Sequence, residues 1–583
     1  MSANSWKNLS DGKGLLDLQT LNLGSLENAV WERIQDLKKM GFGSRLWRKD
    51  PQLWKSDSKD QAVIRGALGW LDVVEKMQKE AAALKEFAAE ARRSGFRQVV
   101  HMGMGGSSLA PLAFQRILPR PAAGMALTIL DTTDPATVLA IERSCPLTET
   151  LFIVASKSGA TAEPSAFGEF FFDRLKRLKG DRAGENFIAV TDPGTLLENQ
   201  GKKRGFRKIF PGQADIGGRY SALSPFGIVP AALMGVEVSD LLRRAQRMAD
   251  ACGPAIPEEE NPGVVLGAVM GEMVARGKDK VTFLTPESLS TLGLWLEQLL
   301  AESTGKEGTG ILPVAEEPLG RAGDYAGDRL FVVIELKGEK DPVLNRLVPE
   351  LIASGHPVVA IQLGDRLDLA QEFYRWEIAT AALGGILRIN PFDQPNVQES
   401  KDNTNRLLDY YRRKGRLPDP PSSLREGALS FYGGRGGENG REFLKEFFAQ
   451  GRPNDYVAFQ AYLTETPEVQ KAFQSLRRIV QQKFRLATTF GYGPRFLHST
   501  GQYHKGGPDT GLFLQFTADP PEDIEIPGSP FSFGTLRRAQ AQGDFEALKK
   551  HGRRIAGIHL GGDPVKGLNE FCGIFAETMR MIS

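Results

Sequence analysis

The sequence predicts an α/β fold: two tandem doubly wound parallel-sheet domains, an N-terminal helical arm and a C-terminal α+β extension. Three observations predict it. Short apolar runs alternate with stretches of helical periodicity from residue 96 onward, the alternation occurs twice, and residues 1–95 before it carry helical spacing alone. The expected boundaries are 1–95 for the arm, 96–255 and 256–415 for the two α/β domains, and 416–583 for the extension. A chain of 583 residues is too long for one core, which agrees with several domains.

In the arm, apolar residues recur three and four apart over 26–37 and again over 62–87, which predicts amphipathic helices. The first α/β series has apolar runs at 99–102, 127–131, 151–155 and 187–191; the second has them at 281–284, 330–336, 357–363 and 386–390. Runs without polar alternation suit strands covered by helices on both faces. Residues 416–440, rich in Pro and Gly, predict a mobile surface loop. Beyond it, 456–486 reads as helix, 491–510 as an irregular Gly-rich loop, 512–516 and 555–560 as strands, and 568–581 as a closing helix.

Charge excludes some partners. With 73 Lys plus Arg against 71 Asp plus Glu, the net +2 gives no electrostatic reason to expect nucleic acid or a membrane surface. The three cysteines, Cys145, Cys252 and Cys572, are far apart and lack CxxC spacing, so a reducing compartment is expected and zinc is not. No apolar signal core opens the chain and no run reaches the ~18 apolar residues of a spanning helix, which makes a cytoplasmic enzyme the expectation.

Parallel sheets bind ligands beyond the carboxyl ends of their strands, so a site between the two units is the geometric expectation. Two loops qualify as phosphate cradles. Ser156, Lys157, Ser158 and Thr161 follow the run 151–155 and precede a helix, whose first N–H groups and dipole favour an anion; the same loop also suits a plain helix cap. Gly106 and Ser107 lie in the glycine-rich segment 103–108 after the first strand. That segment lacks the last glycine of a dinucleotide fingerprint and reads equally as a tight turn.

Four further segments could carry chemistry. Arg219, in Gly-Gly-Arg-Tyr-Ser, offers a permanent cation with planar donors suited to a phosphate or an enediolate, or else a solvated turn. Glu302 ends an apolar helix, where the negative terminus and burial poise a carboxylate to accept a proton; pairing with Lys306 is the plainer alternative. Gln298 shares its helix face four residues earlier. Gln394 and Lys401 follow the last run of the second series, with Asp393 as an ordinary helix cap and Lys401 as a surface charge in the bland reading. His498 and His504 lie in a glycine-rich loop, which suits acid–base work or a structural role; no third metal ligand is placed beside them.

Together these segments resemble the phosphoglucose isomerase family over about 98–402 and again about 485–516. Ser156 to Thr161 is similar to its phosphate loop, 217–221 to its first signature, 302–306 to the segment with its catalytic base, and 392–401 to its second signature. The wording is closest to the isomerase half of bifunctional transaldolase/phosphoglucose isomerase proteins, although the arm is too short and helical for an eight-stranded barrel. The resemblance implies sugar-isomerase (SIS) type domains, a homodimer with active sites near the subunit interface, and interconversion of glucose 6-phosphate and fructose 6-phosphate through a cis-enediol, without metal or redox cofactor. It assigns the phosphate to Ser107, Ser156, Lys157, Ser158 and Thr161, ring opening to His498 with Lys401, proton transfer to Glu302, enediolate stabilisation to Arg219, and the sugar hydroxyls to Gln298 and Gln394.

Two departures stand out. Asn396 occupies a position where the second signature has a small residue, and the histidine segment follows both the Glu302 and Lys401 segments instead of lying between them. His356 does lie between them, but just before a predicted strand, at the end away from the expected crevice. The competing functions are an isomerase of this fold that also takes mannose 6-phosphate and a sugar-phosphate-binding SIS protein without chemistry.

Overall fold

The computed structural model describes residues 15–418 and 422–582. The N-terminal region is helical up to α1 (Val73–Arg93), with one exception. Gln19–Asn22 forms strand β1, whose alternating burial is the period of a sheet and not of a helix.

The first sheet contains β2 (Gln98–Met102), β3 (Ala126–Leu130), β4 (Thr150–Ala155), β5 (Phe187–Thr191) and β6 (Lys208–Pro211), in the order β3-β2-β4-β5-β6 with parallel neighbours. Helix α2 (Leu109–Ile117) follows β2, and α3 (Ala162–Lys179) follows β4. The chain runs outward from β2 to β3 and then returns to the far side of β2 as β4. Winding therefore reverses between β2 and β4, and the loops leaving their carboxyl ends part to form a crevice.

The second unit begins with α4 (Pro262–Ala275) and continues through β7 (Lys280–Leu284), α5 (Ser290–Thr304), β8 (Leu312–Val314), β9 (Arg329–Leu336), β10 (Val358–Leu363), α6 (Leu369–Leu387) and α7 (Pro395–Lys414). Its sheet order is β1-β10-β9-β7-β8, with β1 antiparallel at the edge. The run expected as a strand at 386–390 is instead the end of α6 and the turn after it, where Arg388 takes a left-handed φ of 56°. Ile386 packs on α4: a Cβ at Gly271 would lie 2.6 Å from its Cδ1. A helix buried on nearly all sides loses its polar stripe, so a short window of it reads like a strand.

The remaining residues form a third sheet from β11 (Ser422–Glu426), β12 (Leu429–Gly433), β13 (Tyr456–Tyr462), β14 (Ala487–Tyr492), β15 (Gly511–Thr517) and β16 (Arg554–His559), ordered β11-β12-β16-β15-β13-β14. Helices α8 (Pro467–Phe484), α9 (Phe533–Lys550) and α10 (Pro564–Met581) cover it. Two expectations are corrected here. The described part of 416–440 contains the hairpin β11–β12 turning at Gly427, φ 58°, and the stretch 456–486 is a buried strand followed by a helix begun by Thr466 and Pro467. The four strands β13 to β16 are parallel and repeat the outward-then-back winding of the first sheet.

One apolar core joins the N-terminal region with the first and second sheets, through residues such as Trp70, Phe114, Leu296 and Phe373. The third sheet has its own, built on Phe431, Phe459, Phe516 and Phe575. A seam connects the two: Ala301, Leu312 and Val314 pack with Tyr456, Tyr503 and Phe513, so the end of α5 is pressed against the third sheet. Among the described residues no helix is long and apolar enough to cross a membrane.

Candidate active site

The loops after β2 and β4 are neighbours because those strands pair, Met102 opposite Val154. Gly105 has a φ of +56°, and a Cβ there would lie 2.8 Å from the His498 Cβ and 3.0 Å from Gln298 Nε2. A Cβ at Gly106 would lie 2.1 Å from the carbonyl oxygen of Gly218. The two glycines are thus where the first-sheet loop, α5, the histidine segment and the Arg219 turn converge, and backbone that close admits no side chain. Ser107 follows them, its carbonyl accepting from His101 Nε2 at 2.5 Å. Burial keeps His101 neutral, its pKa pushed down to about 4.

In the second loop, Ser156 Oγ and Thr161 Oγ1 are 2.9 Å apart at the mouth of α3. Ser158 is exposed, and its Oγ accepts from the Ala160 N–H at 3.4 Å. Lys157 is more committed than its sequence position suggests. Its ammonium pairs with Asp192 and donates to the carbonyls of Gln213 and Ala214, each at 3.2 Å, so it stiffens the loop from behind.

Arg219 is 2 % exposed and donates four hydrogen bonds. Its Nε donates to Ser303 Oγ at 2.6 Å, Nη1 to Gln394 Oε1 at 2.8 Å, and Nη2 to the carbonyls of Pro391 and Asp393 at 2.7 and 2.8 Å. Nη1 also lies 3.8 Å from Glu302 Oε2. The guanidinium is therefore a fixed charge tying the first unit to the end of α5 and to the loop before α7.

Glu302, 7 % exposed, lies one turn after Gln298 on α5. Gln298 Nε2 donates to Glu302 Oε2 at 3.2 Å and to the His498 carbonyl at 2.7 Å. The other amide atom, Gln298 Oε1, is buried without a hydrogen-bond partner among the described residues. Lys306 does not pair with Glu302. It donates to the carbonyls of Asn390 and Asp393 and to Asp393 Oδ1, at 2.8, 2.6 and 2.6 Å; burial and the Arg219 charge bring it down to about 8.

His498 ends a 3-10 turn, Arg495–His498, held on the first sheet by a bidentate pair from Arg495 to Asp131, both contacts 2.9 Å. Its Nε2 donates to Glu163 Oε1 at 3.2 Å. Glu163 lies in the first turn of α3, and Gln540 Nε2 of α9 donates to the same oxygen at 2.6 Å. Burial pushes the Glu163 carboxyl up, but the His498 charge and hydrogen bond, with Lys401 behind them, bring the net below the ordinary value. Lys401 itself is exposed on α7. Despite its late place in the chain, the histidine segment thus reaches the crevice of its own chain.

Two of the remaining histidines lie elsewhere. His504 is buried with Gln460 Nε2 3.3 Å from its Nδ1, and burial, Lys505 and Arg553 hold it neutral. His356 packs on Phe331 near the amino end of β9. Asn396 has a local reason: its Oδ1 accepts from Gln502 Nε2 and its N–H donates to Gln502 Oε1, at 2.8 and 2.9 Å, clasping α7 to the histidine segment.

Sequence reasoning missed Glu163, Gln540 and Glu297. Glu163 reads as an ordinary acidic residue in a helix's first turn, and only the return of the chain at His498 shows otherwise. Glu297 receives a hydrogen bond from Ser499 Oγ at 3.2 Å, and burial pushes it up to about 8.

The family model of phosphoglucose isomerase matches residues 60–311, which include the phosphate-type loops, Arg219, Gln298 and Glu302 but not Gln394, Lys401 or His498. The chain is 28% identical over 401 residues to the glucose-6-phosphate isomerase of Rubrobacter xylanophilus, covering 58% of this chain and 88% of the relative. It is 27% identical over 405 residues to that of Carboxydothermus hydrogenoformans, covering 59% and 85%. Its fold is similar to that of a hypothetical protein from Thermus thermophilus, with a TM-score of 0.56 and 24% identity over 67% of this chain and 99% of the other. It is also similar to a glucose-6-phosphate isomerase from Chlamydia trachomatis, with a TM-score of 0.50 and 22% identity over 64% and 78%.

Proposed function

We propose that this chain is an aldose–ketose isomerase that interconverts glucose 6-phosphate and fructose 6-phosphate through a cis-enediol. The observation that carries the reading is a contact path along one crevice: Glu302 to Gln298, Gln298 to the His498 backbone, and His498 to Glu163, two residues beyond Thr161. That path supports a reading in which Glu302 serves the sugar carbons and the Ser156–Thr161 loop the phosphate of one substrate. The similarity to glucose-6-phosphate isomerases supports the choice of sugar.

In this reading Ser107, Ser156, Ser158 and Thr161 supply hydroxyls to the phosphate, Gly106 lets the backbone approach it, and Lys157 braces the loop. His498, oriented by Glu163 and assisted by Lys401, moves the proton that opens the ring. Glu302 takes the proton from one of C1 and C2 and, after partial exchange of that proton with water, delivers one to the other. Arg219 holds a positive charge beside the developing enediolate without having to reorganise, which is where electrostatic catalysis is strongest. Gln298 has a buried acceptor left for a sugar hydroxyl, and Gln394, whose Oε1 accepts from Arg219, takes the same role.

On the wording of its motifs, we also propose kinship with the isomerase halves of bifunctional transaldolase/isomerase proteins. We further propose a cytoplasmic homodimer, in keeping with three free thiols and the resemblance. A coupled assay of the purified protein tests the function: fructose 6-phosphate should yield glucose 6-phosphate, and absence of product would remove the proposal. Turnover of mannose 6-phosphate in the same assay distinguishes the broader isomerase.

A further inference from the structure

The third sheet repeats the winding of the first, with β14 outside β13 and β15 returning on the other side. In the first sheet that reversal holds the phosphate-type loops. The loop after β14 carries His498 to the isomerase crevice, whereas beyond β13, β15 and β16 the third sheet opens into a cavity of about 560 Å³, the size of a small-metabolite site. The cavity is lined by Tyr462, Thr517 and His559, the last residues of β13, β15 and β16, so it lies beyond the strands' carboxyl ends where such sheets take ligands.

We propose that this cavity is a second ligand site, for a phosphorylated metabolite carrying a ring. Tyr432 and Phe545 form one wall, with ring centroids 5.0 Å apart, a surface on which a base or the apolar face of a sugar can lie. Arg416 and Arg425 face the same space, and neither has an ion-pair partner among the described residues. The acids of the lining are engaged: Asp519 Oδ2 is 3.5 Å from His559 Nε2, and Asp523 accepts from the Ser532 hydroxyl and from the amides of Ile524 and Gly534 at 2.5, 2.8 and 2.8 Å. Two guanidiniums lining the same cavity as an aromatic wall suit a phosphate ester on a ring. The cavity also borders α9, whose Gln540 holds Glu163, so an occupant touches the helix that positions the His498 pair.

The inference is independent of the isomerase reading, since its residues are not those of the crevice. Titration calorimetry with adenosine 5′-monophosphate and with glucose 6-phosphate, on the wild type and on R416E/R425E, tests it. The expected result is one binding event per chain that the double variant weakens at least tenfold while isomerase turnover stays unchanged. That event is the nucleotide's if the site takes nucleoside phosphates, or an event additional to the crevice's if it takes sugar phosphates. Ser430→Trp, which fills the cavity from β12 without altering charge, should abolish the same event. Equal binding of both probes by wild type and R416E/R425E, or no event beyond a single variant-insensitive one, would overturn the proposal.

Discussion

His498 Nε2 donates to Glu163 Oε1 at 3.2 Å across 335 residues of sequence, joining the third sheet's loop to the first sheet's phosphate-type helix. Gln298 links the pair to Glu302 through the His498 carbonyl, and Gln540 holds the pair at Glu163. Glu163→Gln keeps an acceptor oxygen for His498 but removes the charge. Turnover of fructose 6-phosphate should fall about 10- to 10³-fold with KM nearly unchanged. Steady-state kinetics decide it, and a loss confined to KM would assign Glu163 to binding instead.

Glu302→Gln preserves shape and the contact with Gln298 while removing the proton acceptor. Positioned proton transfer contributes about 10²- to 10⁴-fold, so kcat should drop in that range while glucose 6-phosphate still binds. Calorimetry alongside the rate assay checks both halves.

Gly105→Ala places a methyl group 2.8 Å from the His498 Cβ and 3.0 Å from Gln298 Nε2, at a φ of +56°. Overpacking and backbone strain together should cost about 1–3 kcal/mol of stability, and displacement of either neighbour should lower turnover at least about tenfold. Thermal unfolding and kinetics on the same preparation read the two effects.

Burial pushes the Glu297 carboxyl up to about 8 from an ordinary 4.5. Between those pH values the folded chain holds a proton that the unfolded chain has released, so this carboxyl makes stability fall as pH rises through the window. Glu297→Gln has no such proton. Its stability relative to wild type should therefore improve between about pH 4.5 and 8, by an amount on the order of 5 kcal/mol. A pH-independent difference in denaturant midpoints would contradict this.

Much of the fold was legible because buried parallel strands leave apolar runs that neighbouring helices do not. Where it was not, the cause is local. Ile386 and Leu387 end a helix with almost no polar face, and Tyr456 to Tyr462 carries an aromatic-rich strand straight into a capped helix. The candidate site was legible as residue types, and the structure links Gln394, Arg219, Glu302, Gln298 and His498 by successive contacts. What the sequence did not disclose was who holds whom. Lys157 turns back to Asp192, Lys306 to Asp393, and Glu163 is recruited by a histidine from another sheet. Such pairings depend on tertiary approach, which spacing along the chain does not encode.

Conversion of fructose 6-phosphate in heavy water, followed by nuclear magnetic resonance at C2 of the product, tests the role of Glu302 most directly. Proton transfer through a carboxylate whose proton partly exchanges with water before its return predicts deuterium at C2 in a fraction of the glucose 6-phosphate formed. Product free of deuterium, as a direct hydride shift gives, or no product at all, would contradict it.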